Sequence, residues 1–241
     1  MTSRRSGSRT IAADRRIAAQ SGGSLAPRPV RNKGGGLVPD AGHGDRQAEH
    51  TLEPVDAGGA LGRVRRAVEA RHPVDAREAS SRQRILAELD RLDWPFDRDA
   101  DPVHVTGSAV VAGPQGTVLH RHKRLGRWMQ PGGHLDAGEL PAAAACREAH
   151  EETGLTVRHV GDAPLLVHVD VHDAADGHVH LDLRYLVLAD GDDLAPAPGE
   201  SPAVAWFSWS DALDRADASL RGALRSAMAV LQAIDQPAAC Q

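Results

Sequence analysis

The spacing of apolar residues predicts helices in the first ordered part of the chain. Between residues 60 and 100 apolar side chains recur every three or four positions, which is helical spacing. A first helix is predicted to end before Pro73, and Ser80 or Ser81 is predicted to cap a second. The apolar positions are Leu61, Val64 and Val68 in the first helix and Ile85, Leu86, Leu89 and Leu92 in the second. This helical lead-in is expected to pack on the next domain or on a second subunit, which leaves a homodimer open.

From Val103 onward apolar and polar residues mostly alternate, which is the spacing of strands. Glycine and proline at 113–116 predict a turn between the first two strands, and Asp176-Gly177 predicts a hairpin later. A closing helix, capped by Ser210 or Asp211, is predicted to carry apolar residues as far as Leu231. The predicted strands are 103–111, 117–120, 155–160, 165–171, 179–188 and 204–209.

One long helix is predicted between the second and third strands. Residues 132–155 read GGHLDAGELPAAAACREAHEETGL. Pro141 suits the first position of a helix, where its missing N–H is not needed. The alanines that follow favour helix, and Gly154 suits the C-terminal stop.

Three carboxylates share one face of this predicted helix. Glu148, Glu151 and Glu152 lie at positions i, i+3 and i+4. Like charges at that spacing repel by about 0.2–0.5 kcal/mol per pair, so helix stability does not explain them. A divalent cation that prefers oxygen ligands, Mg²⁺ or Mn²⁺, would turn this repulsion into attraction.

Neighbouring residues fit the same interpretation. Arg147 lies four residues before Glu151 and can hold that carboxylate in one orientation. Glu139 can interact favourably with the positive N-terminal end of the helix dipole, or it can reach back to the carboxylates. Gly132 and Gly133 let the backbone approach a metal or phosphate, since neither has a Cβ. A solvated acidic face after an ordinary turn would account for a single Glu pair, but not for the whole spacing.

The complete spacing resembles the Nudix box of Nudix hydrolases, G-x5-E-x7-R-E-U-x-E-E-x-G-U with U aliphatic. Ala149 is the weakest of the aliphatic positions, and Leu140 departs from the Ser or Thr that often caps the helix in such loops. The matching residues are Gly133, Glu139, Arg147, Glu148, Ala149, Glu151, Glu152, Gly154 and Leu155.

The resemblance implies an α/β fold, an α/β/α sandwich around a mixed sheet, over residues 101–236. It implies that one or more Mg²⁺ (or Mn²⁺) ions are held by Glu148, Glu151, Glu152 and the carbonyl of Gly132. An acidic residue outside the box often completes such a site, and the candidate here is Glu200. Arg147 and Glu139 would orient these ligands. One of the carboxylates would accept a proton from the attacking water, and which one stays open.

The reaction implied is metal-dependent cleavage of a diphosphate linkage in a nucleoside diphosphate joined to another group X. Two alternatives stay open. One is hydrolysis of a non-nucleotide diphosphate. The chain has few aromatic residues that could stack on a base (one Tyr, two Phe and four Trp). The other is a ligand-binding or regulatory module without catalysis, against which the intact box argues.

A basic run lies immediately before the box, from His120 to Arg127. Arg121, Lys123 and Arg127 are interpreted as substrate-binding residues, because Lys and Arg neutralise charge on phosphoryl oxygens. Trp128 is a candidate for stacking on a base. The alternatives are a solvated loop for the charges and ordinary packing for the tryptophan.

The predicted hairpin carries two polar faces that should lie side by side. On its first strand the polar residues alternate with Val167, Val169 and Val171. A second metal site, a polar wall of the substrate cleft and a merely solvated face are the three interpretations. The polar positions are His168, Asp170 and His172 on one strand and His178, His180, Asp182 and Arg184 on the other.

Composition limits the remaining choices. The chain has 241 residues, 41% of them hydrophobic, which is enough for one medium domain with extensions. Its net charge of −5 does not favour nucleic-acid binding, and no apolar run is long enough to cross a membrane. Two cysteines fit a reducing cytoplasm. Residues 1–59 are predicted to form a disordered basic tail, residues 60–100 the helical lead-in, and residues 101–236 the main domain.

Overall fold

The computed structural model describes residues 59–174 and 177–235, so the predicted tail before Gly59 lies outside the described residues. Within them the helices are α1 (Ala60–Glu69), α2 (Ala76–Arg91), α3 (Pro141–Thr153), α4 (Trp209–Arg215) and α5 (Ala218–Asp235). The strands are β1 (Val103–Gly113), β2 (Gly116–Arg121), β3 (Trp128–Met129), β4 (Gly132–His134), β5 (Val157–His159), β6 (Leu165–Asp173), β7 (Val179–Ala189) and β8 (Val204–Phe207). No helix among these is long and apolar enough to span a membrane.

The strands form one mixed sheet. Its path runs β3-β2-β1-β7-β5, while β4 pairs with β1, β6 with β7 and β8 with β2. The β1–β7 ladder is parallel and the other ladders are antiparallel. Helices α1, α2 and α3 cover one face and helices α4 and α5 the other. The predicted α/β/α sandwich around a mixed sheet is therefore confirmed.

Alternation along β1 divides the apolar core between the two faces. Val105, Ala109 and Val111 pack toward α1, α2 and α3. Val110 and Ala112 pack toward α4 and α5. Because side chains on a strand point alternately to its two faces, one central strand supplies both layers of the core.

The second lead-in helix begins earlier than the sequence pattern predicted. Asp75, not Ser80 or Ser81, is its cap, and the Asp75 carboxylate accepts a hydrogen bond from the Glu78 N–H at 2.8 Å. An acidic cap followed three residues later by Glu is a recognised helix start. The sequence pattern missed this start because the apolar residues of the helix begin only at Ile85.

Side chains of α2 bind the outer edge of β6. Glu78 is fully buried, and its carboxylate accepts a hydrogen bond from the Val169 N–H at 3.3 Å. The Ser81 hydroxyl accepts one from the Val171 N–H at 3.2 Å. Arg71 pairs with Glu78 at 3.0 Å and balances its charge. Backbone groups that no neighbouring strand reaches are thus satisfied by a helix.

The C-terminal elements differ from prediction in two ways. The Ser208 hydroxyl caps α4 by accepting a hydrogen bond from the Asp211 N–H at 3.1 Å, so neither Ser210 nor Asp211 is the cap. The predicted single closing helix is two helices, separated at Ala216 and Asp217. The Asp217 carboxylate accepts from the Leu220 N–H at 2.9 Å and so starts the second helix.

The two polar faces of the hairpin do lie side by side, as predicted. Cross-strand pairs join His168 to Arg184 and Asp170 to Asp182. An irregularity between Leu166 and His168 breaks the predicted alternation, and Val167 packs in the core beneath α4 and α5.

The solvated interpretation is wrong for four of the seven polar residues, while His172, His178 and His180 are half-buried. His168, Asp170, Asp182 and Arg184 are all at most 4% exposed. The Arg184 guanidinium donates to the Asp182 carboxylate at 2.8 Å, and Arg77 of α2 donates to Asp170 at 3.0 Å. The faces form a buried ion-pair network beside α2 and α5.

The burial of His168 is expected to make the folding stability of the protein sensitive to acid. Desolvation, with the Arg184 charge, lowers the pKa of His168 to about 4. An unfolded histidine titrates near 6.5, so between pH 6.5 and 4 the unfolded chain binds a proton that the folded chain does not. Stability is therefore expected to fall as pH is lowered through this range, by up to about 3 kcal/mol from this residue. Urea unfolding from pH 7 to 4.5 measures it. Equal pH slopes for the parent and His168→Gln proteins would contradict it.

Candidate active site

The box helix α3 begins and ends where its sequence predicted. Pro141 occupies the first turn after Leu140, which makes no side-chain cap. Gly154 ends the helix in the left-handed region, with φ of 79°, and its N–H reaches the His150 carbonyl at 2.7 Å. A Cβ at Gly107 of β1 would overlap the Pro141 carbonyl. The start of α3 therefore rests directly on the central strand.

The double glycine brings β4 against the acidic face of α3. Gly132 and Gly133 pair with Ser108 and Gly107 of β1. A Cβ at Gly133 would overlap the Glu148 carboxylate, so only glycine fits there. The Gly132 N–H donates to Glu152 at 3.0 Å. The backbone of β4 therefore lies against the box carboxylates, and its approach to a metal or phosphate stays a prediction.

Arg147 ties the remaining acidic residues of the box together. Its Nη1 donates to Glu148 at 2.8 Å and to Glu151 at 3.1 Å. Its Nε and Nη2 donate to Glu139 at 3.0 and 2.9 Å. Nη2 also donates to the His134 carbonyl at 2.8 Å, which joins the helix to β4. A planar guanidinium can serve three carboxylates at once because its donors are fixed in a fork.

The carboxylates are held close in a poorly solvated position. Burial, followed by the charges of Glu148, Glu200 and Glu151, raises the pKa of Glu152 to about 8 despite the Gly132 hydrogen bond. Burial also raises the pKa of Glu148, against the opposing effect of Arg147. Negative charge is concentrated here beyond what the protein itself neutralises.

Glu200, the candidate from outside the box, belongs to the same electrostatic group. Its charge contributes to the raised pKa values of both Glu148 and Glu152. The loop that carries it is fixed to the end of α3, where the Ala197 N–H donates to the Glu151 carbonyl at 2.7 Å. Its role as a metal ligand stays a prediction.

His120 is a neighbour of the box that the sequence pattern did not single out. It is 4% exposed, so the solvated interpretation of the basic run is wrong at this residue. Its Nδ1 lies 3.4 Å from the Glu152 carboxylate. Burial lowers the pKa of His120 to about 4, so the ring is neutral at pH 7. Its place on β2, two residues after buried Val118, was the available signal.

The other residues of the basic run lie at the surface. Arg121 donates to the Gly126 carbonyl at 2.9 Å, Arg127 lies 3.5 Å from the Asp217 carboxylate, and Lys123 is exposed. Their roles in substrate binding stay predictions.

Trp128, which precedes the box in sequence, contacts the core. It is half-buried and packs edge-to-face on Phe207, with ring centroids 4.9 Å apart. This contact accounts for its position on β3. The contact does not test the predicted role of Trp128 in stacking on a base.

The class of protein follows from the fold and this site together. An α/β/α sandwich presents an acidic helix against a double-glycine strand, with one arginine joining the carboxylates. The sequence profile of the NUDIX domain matches residues 102–227, which is more than half of the chain. The chain belongs to the NUDIX domain family.

Curated proteins are similar to parts of this chain. A CMP-5'-(N-acetyl-N-hydroxy-3-aminopropyl)phosphonate hydrolase of Streptomyces rubellomurinus is 36% identical over 107 residues, covering 43% of this chain and 48% of the relative. An RNA pyrophosphohydrolase of Psychrobacter cryohalolentis is 44% identical over 64 residues, covering 26% and 36%. The chain thus spans less than half the length of each.

Solved structures are also similar to this chain. A NUDIX-family hydrolase from Clostridium perfringens is 28% identical, with a TM-score of 0.47. The similarity covers 54% of this chain and 97% of that one.

Proposed function

We propose that this protein is a metal-dependent hydrolase that cleaves a diphosphate linkage in a nucleoside diphosphate joined to another group X. The observation that carries the proposal is the cluster of Glu148, Glu151 and Glu152, fixed by Arg147 and the Gly132 N–H. Burial and the neighbouring carboxylates raise the pKa of Glu152, so a bound cation would stabilise its charged form.

The residues present fit Mg²⁺ or Mn²⁺. Both ions prefer carboxylate and carbonyl oxygens, which Glu148, Glu151, Glu152 and Gly132 supply. Glu200 would add a further carboxylate. When bound, the cation neutralises charge on phosphoryl oxygens of the substrate.

The protein's own residues would orient and deprotonate the attacking water. Arg147 and Glu139 hold the carboxylates in fixed positions, so little reorganisation is needed. A carboxylate of the cluster then accepts the proton. Glu148, Glu151, Glu152 and Glu200 are the candidates, and the choice among them stays open.

The substrate class rests on two supports. Curated relatives are named for hydrolysis of a CMP-linked phosphonate and for RNA pyrophosphohydrolysis. Arg121, Lys123 and Arg127 are exposed and precede the box in sequence, so they are available to neutralise substrate phosphates. A non-nucleotide diphosphate remains the second candidate, since the chain has few aromatic side chains to hold a base. A binding module without catalysis is the third. A cytoplasmic location and a homodimer remain parts of the proposal.

A substrate panel tests the proposal. The untagged protein would be incubated with Mg²⁺ or Mn²⁺ and with nucleoside triphosphates, dinucleotide polyphosphates, nucleotide sugars, ADP-ribose and non-nucleotide diphosphates. Product analysis by mass spectrometry identifies the bond that is cleaved. Metal-dependent turnover of one nucleotide class is expected. Turnover of non-nucleotide diphosphates alone would select the second candidate, and a folded protein without any turnover would reject hydrolysis.

Arg147 offers a more specific prediction. Arg147→Lys keeps the charge but loses the fork that reaches Glu139, Glu148 and Glu151 together. Activity on the substrate found by the panel is expected to fall about 10–100-fold, as for residues that orient metal ligands. Steady-state kinetics measures the loss, and the exposed Arg158→Lys serves as control. Activity of Arg147→Lys equal to that of the parent would contradict an orienting role.

A further inference from the structure

A group of three histidines converges from three different strands. His104 is on β1, His134 on β4 and His180 on β7. One ring nitrogen from each lies within 4.8 Å of the other two. Their ring centroids are 4.9 to 5.2 Å apart. Among the described residues these are the histidines whose nitrogens approach one another closely enough to share one ion.

The strand register places these rings on the face of the sheet opposite the box helix. His104 is the direct cross-strand partner of His180, and His134 is the partner of Thr106. Thr106 donates to Asp182, which fixes this face. The box helix contacts the other face, where Gly107 meets the Pro141 carbonyl. The histidine group is therefore distinct from the glutamates of the box.

His104 has the protonation pattern of a metal ligand. It is 1% exposed, and its Nδ1 lies 3.2 Å from the Asp101 carbonyl. A carbonyl only accepts, so Nδ1 carries the proton and Nε2 keeps its lone pair. Nε2 is buried without a hydrogen-bond partner. This nitrogen is the unsatisfied acceptor that an ion in the group would fill.

The other two rings leave a route of entry. His134 and His180 are half-buried, so an ion can reach them from solvent. Arg98 Nη1 lies 3.3 Å from His134 Nδ1. Binding through that nitrogen requires the exposed Arg98 side chain to turn away.

We propose that His104, His134 and His180 bind one transition-metal ion, with Zn²⁺ the first candidate. Imidazole nitrogen suits Zn²⁺ and its neighbours in the first row, whereas Mg²⁺ prefers oxygen. Three protein ligands leave a fourth position open to water or another small ligand. The site goes beyond the proposed hydrolase, because it uses different residues and a different class of ion.

An ion held there would tie β4 to the centre of the sheet. His134 directly follows Gly133, and β4 is a strand of only three residues. Cross-linking it to β1 and β7 restrains the segment whose Gly132 N–H binds Glu152. Binding is therefore expected to raise the melting temperature of the whole protein.

Cobalt absorption tests the site without reference to activity. Untagged, metal-free, full-length protein is titrated with Co²⁺, then with Zn²⁺, in excess Mg²⁺. One Co²⁺ per chain is expected, with visible bands of nitrogen coordination that Zn²⁺ abolishes and Mg²⁺ does not. His180→Gln and His134→Gln are expected to lose the bands and the rise in melting temperature on adding Zn²⁺. His72→Gln, at an exposed position before α2, is the matched control.

A glutamate variant separates this site from the box. Glu152→Gln is expected to keep the cobalt bands. Absence of bands in the parent, their persistence in both histidine variants, or their loss in Glu152→Gln would each overturn the proposal. Circular dichroism checks that every variant is folded. Hydrolysis with Mg²⁺ is assayed separately, so failure of the histidine site and failure of the proposed reaction are distinguished.

Discussion

Glu152→Gln is expected to reduce metal-dependent hydrolysis by about 10²–10⁴-fold, the range for removing a group that holds a catalytic proton. Glutamine preserves the shape of the side chain and can still accept the Gly132 hydrogen bond, now 3.0 Å long. It removes the ionisable carboxyl from a position where burial and three neighbouring carboxylates disfavour its charged form. Activity is expected to fall because Glu152 is one of the proposed ligands of the cation and one of the proposed proton acceptors.

Stability is expected to move in the opposite direction. Because the Glu152 charge is disfavoured by its surroundings, neutralising it should leave the melting temperature unchanged or raise it. Steady-state kinetics and thermal unfolding of the same samples measure both effects. Glu69→Gln, at the exposed end of α1, is the control for a lost surface carboxylate. A Glu152→Gln protein that keeps its activity, or that loses it by unfolding, would contradict the role proposed for this residue.

Asp182→Ala is expected to lower the free energy of unfolding by about 3–5 kcal/mol, the usual cost of breaking a buried ion pair from one side. Asp182 is 2% exposed and accepts hydrogen bonds from Arg184 at 2.8 Å and Ser108 at 2.7 Å. Burial alone would raise the pKa of Asp182, but the Arg184 charge holds it below its usual value. Removing the carboxylate leaves the 4%-exposed Arg184 with only the longer contact to Asp170, at 3.5 Å.

Denaturant unfolding at pH 7 measures this loss. Asp190→Ala is the matched control, since Asp190 pairs with Arg158 at the surface, where both side chains are about half exposed. That exposed pair is expected to contribute less than about 1 kcal/mol. Equal losses for the two variants would show that the buried network beneath the hairpin contributes no more than a surface pair.

The box helix was predictable because everything that defines it is local. Pro141, the alanines and Gly154 set its limits, and the spacing of its glutamates needs only helical geometry. The contact from Arg147 to Glu151 is likewise an i, i+4 pair. Strand alternation similarly predicted the hairpin, apart from the irregularity at Val167.

The parts that sequence did not predict depend on contacts between distant segments. His120 appeared to belong to a basic surface run, and it is buried within the sheet, where it pairs with Met129 of β3 and Val204 of β8. The burial of the polar face of the hairpin could not be predicted because nothing local shows that α2 and α5 cover it. The His104, His134 and His180 group joins three strands, and no spacing within one strand indicates it.

The hydrogen bonds from α2 to β6 decide where the protein can be shortened. The sequence-based division at residue 101 treats the lead-in as a separate part, and that division remains a prediction. A protein cut there would lose Glu78 and Ser81, which bind the Val169 and Val171 N–H groups. Its β6 would then present an open row of backbone donors, a template for strand-to-strand aggregation. Any shortened version of the protein should therefore begin before Arg71, so that Glu78, its partner Arg71 and Ser81 are all kept.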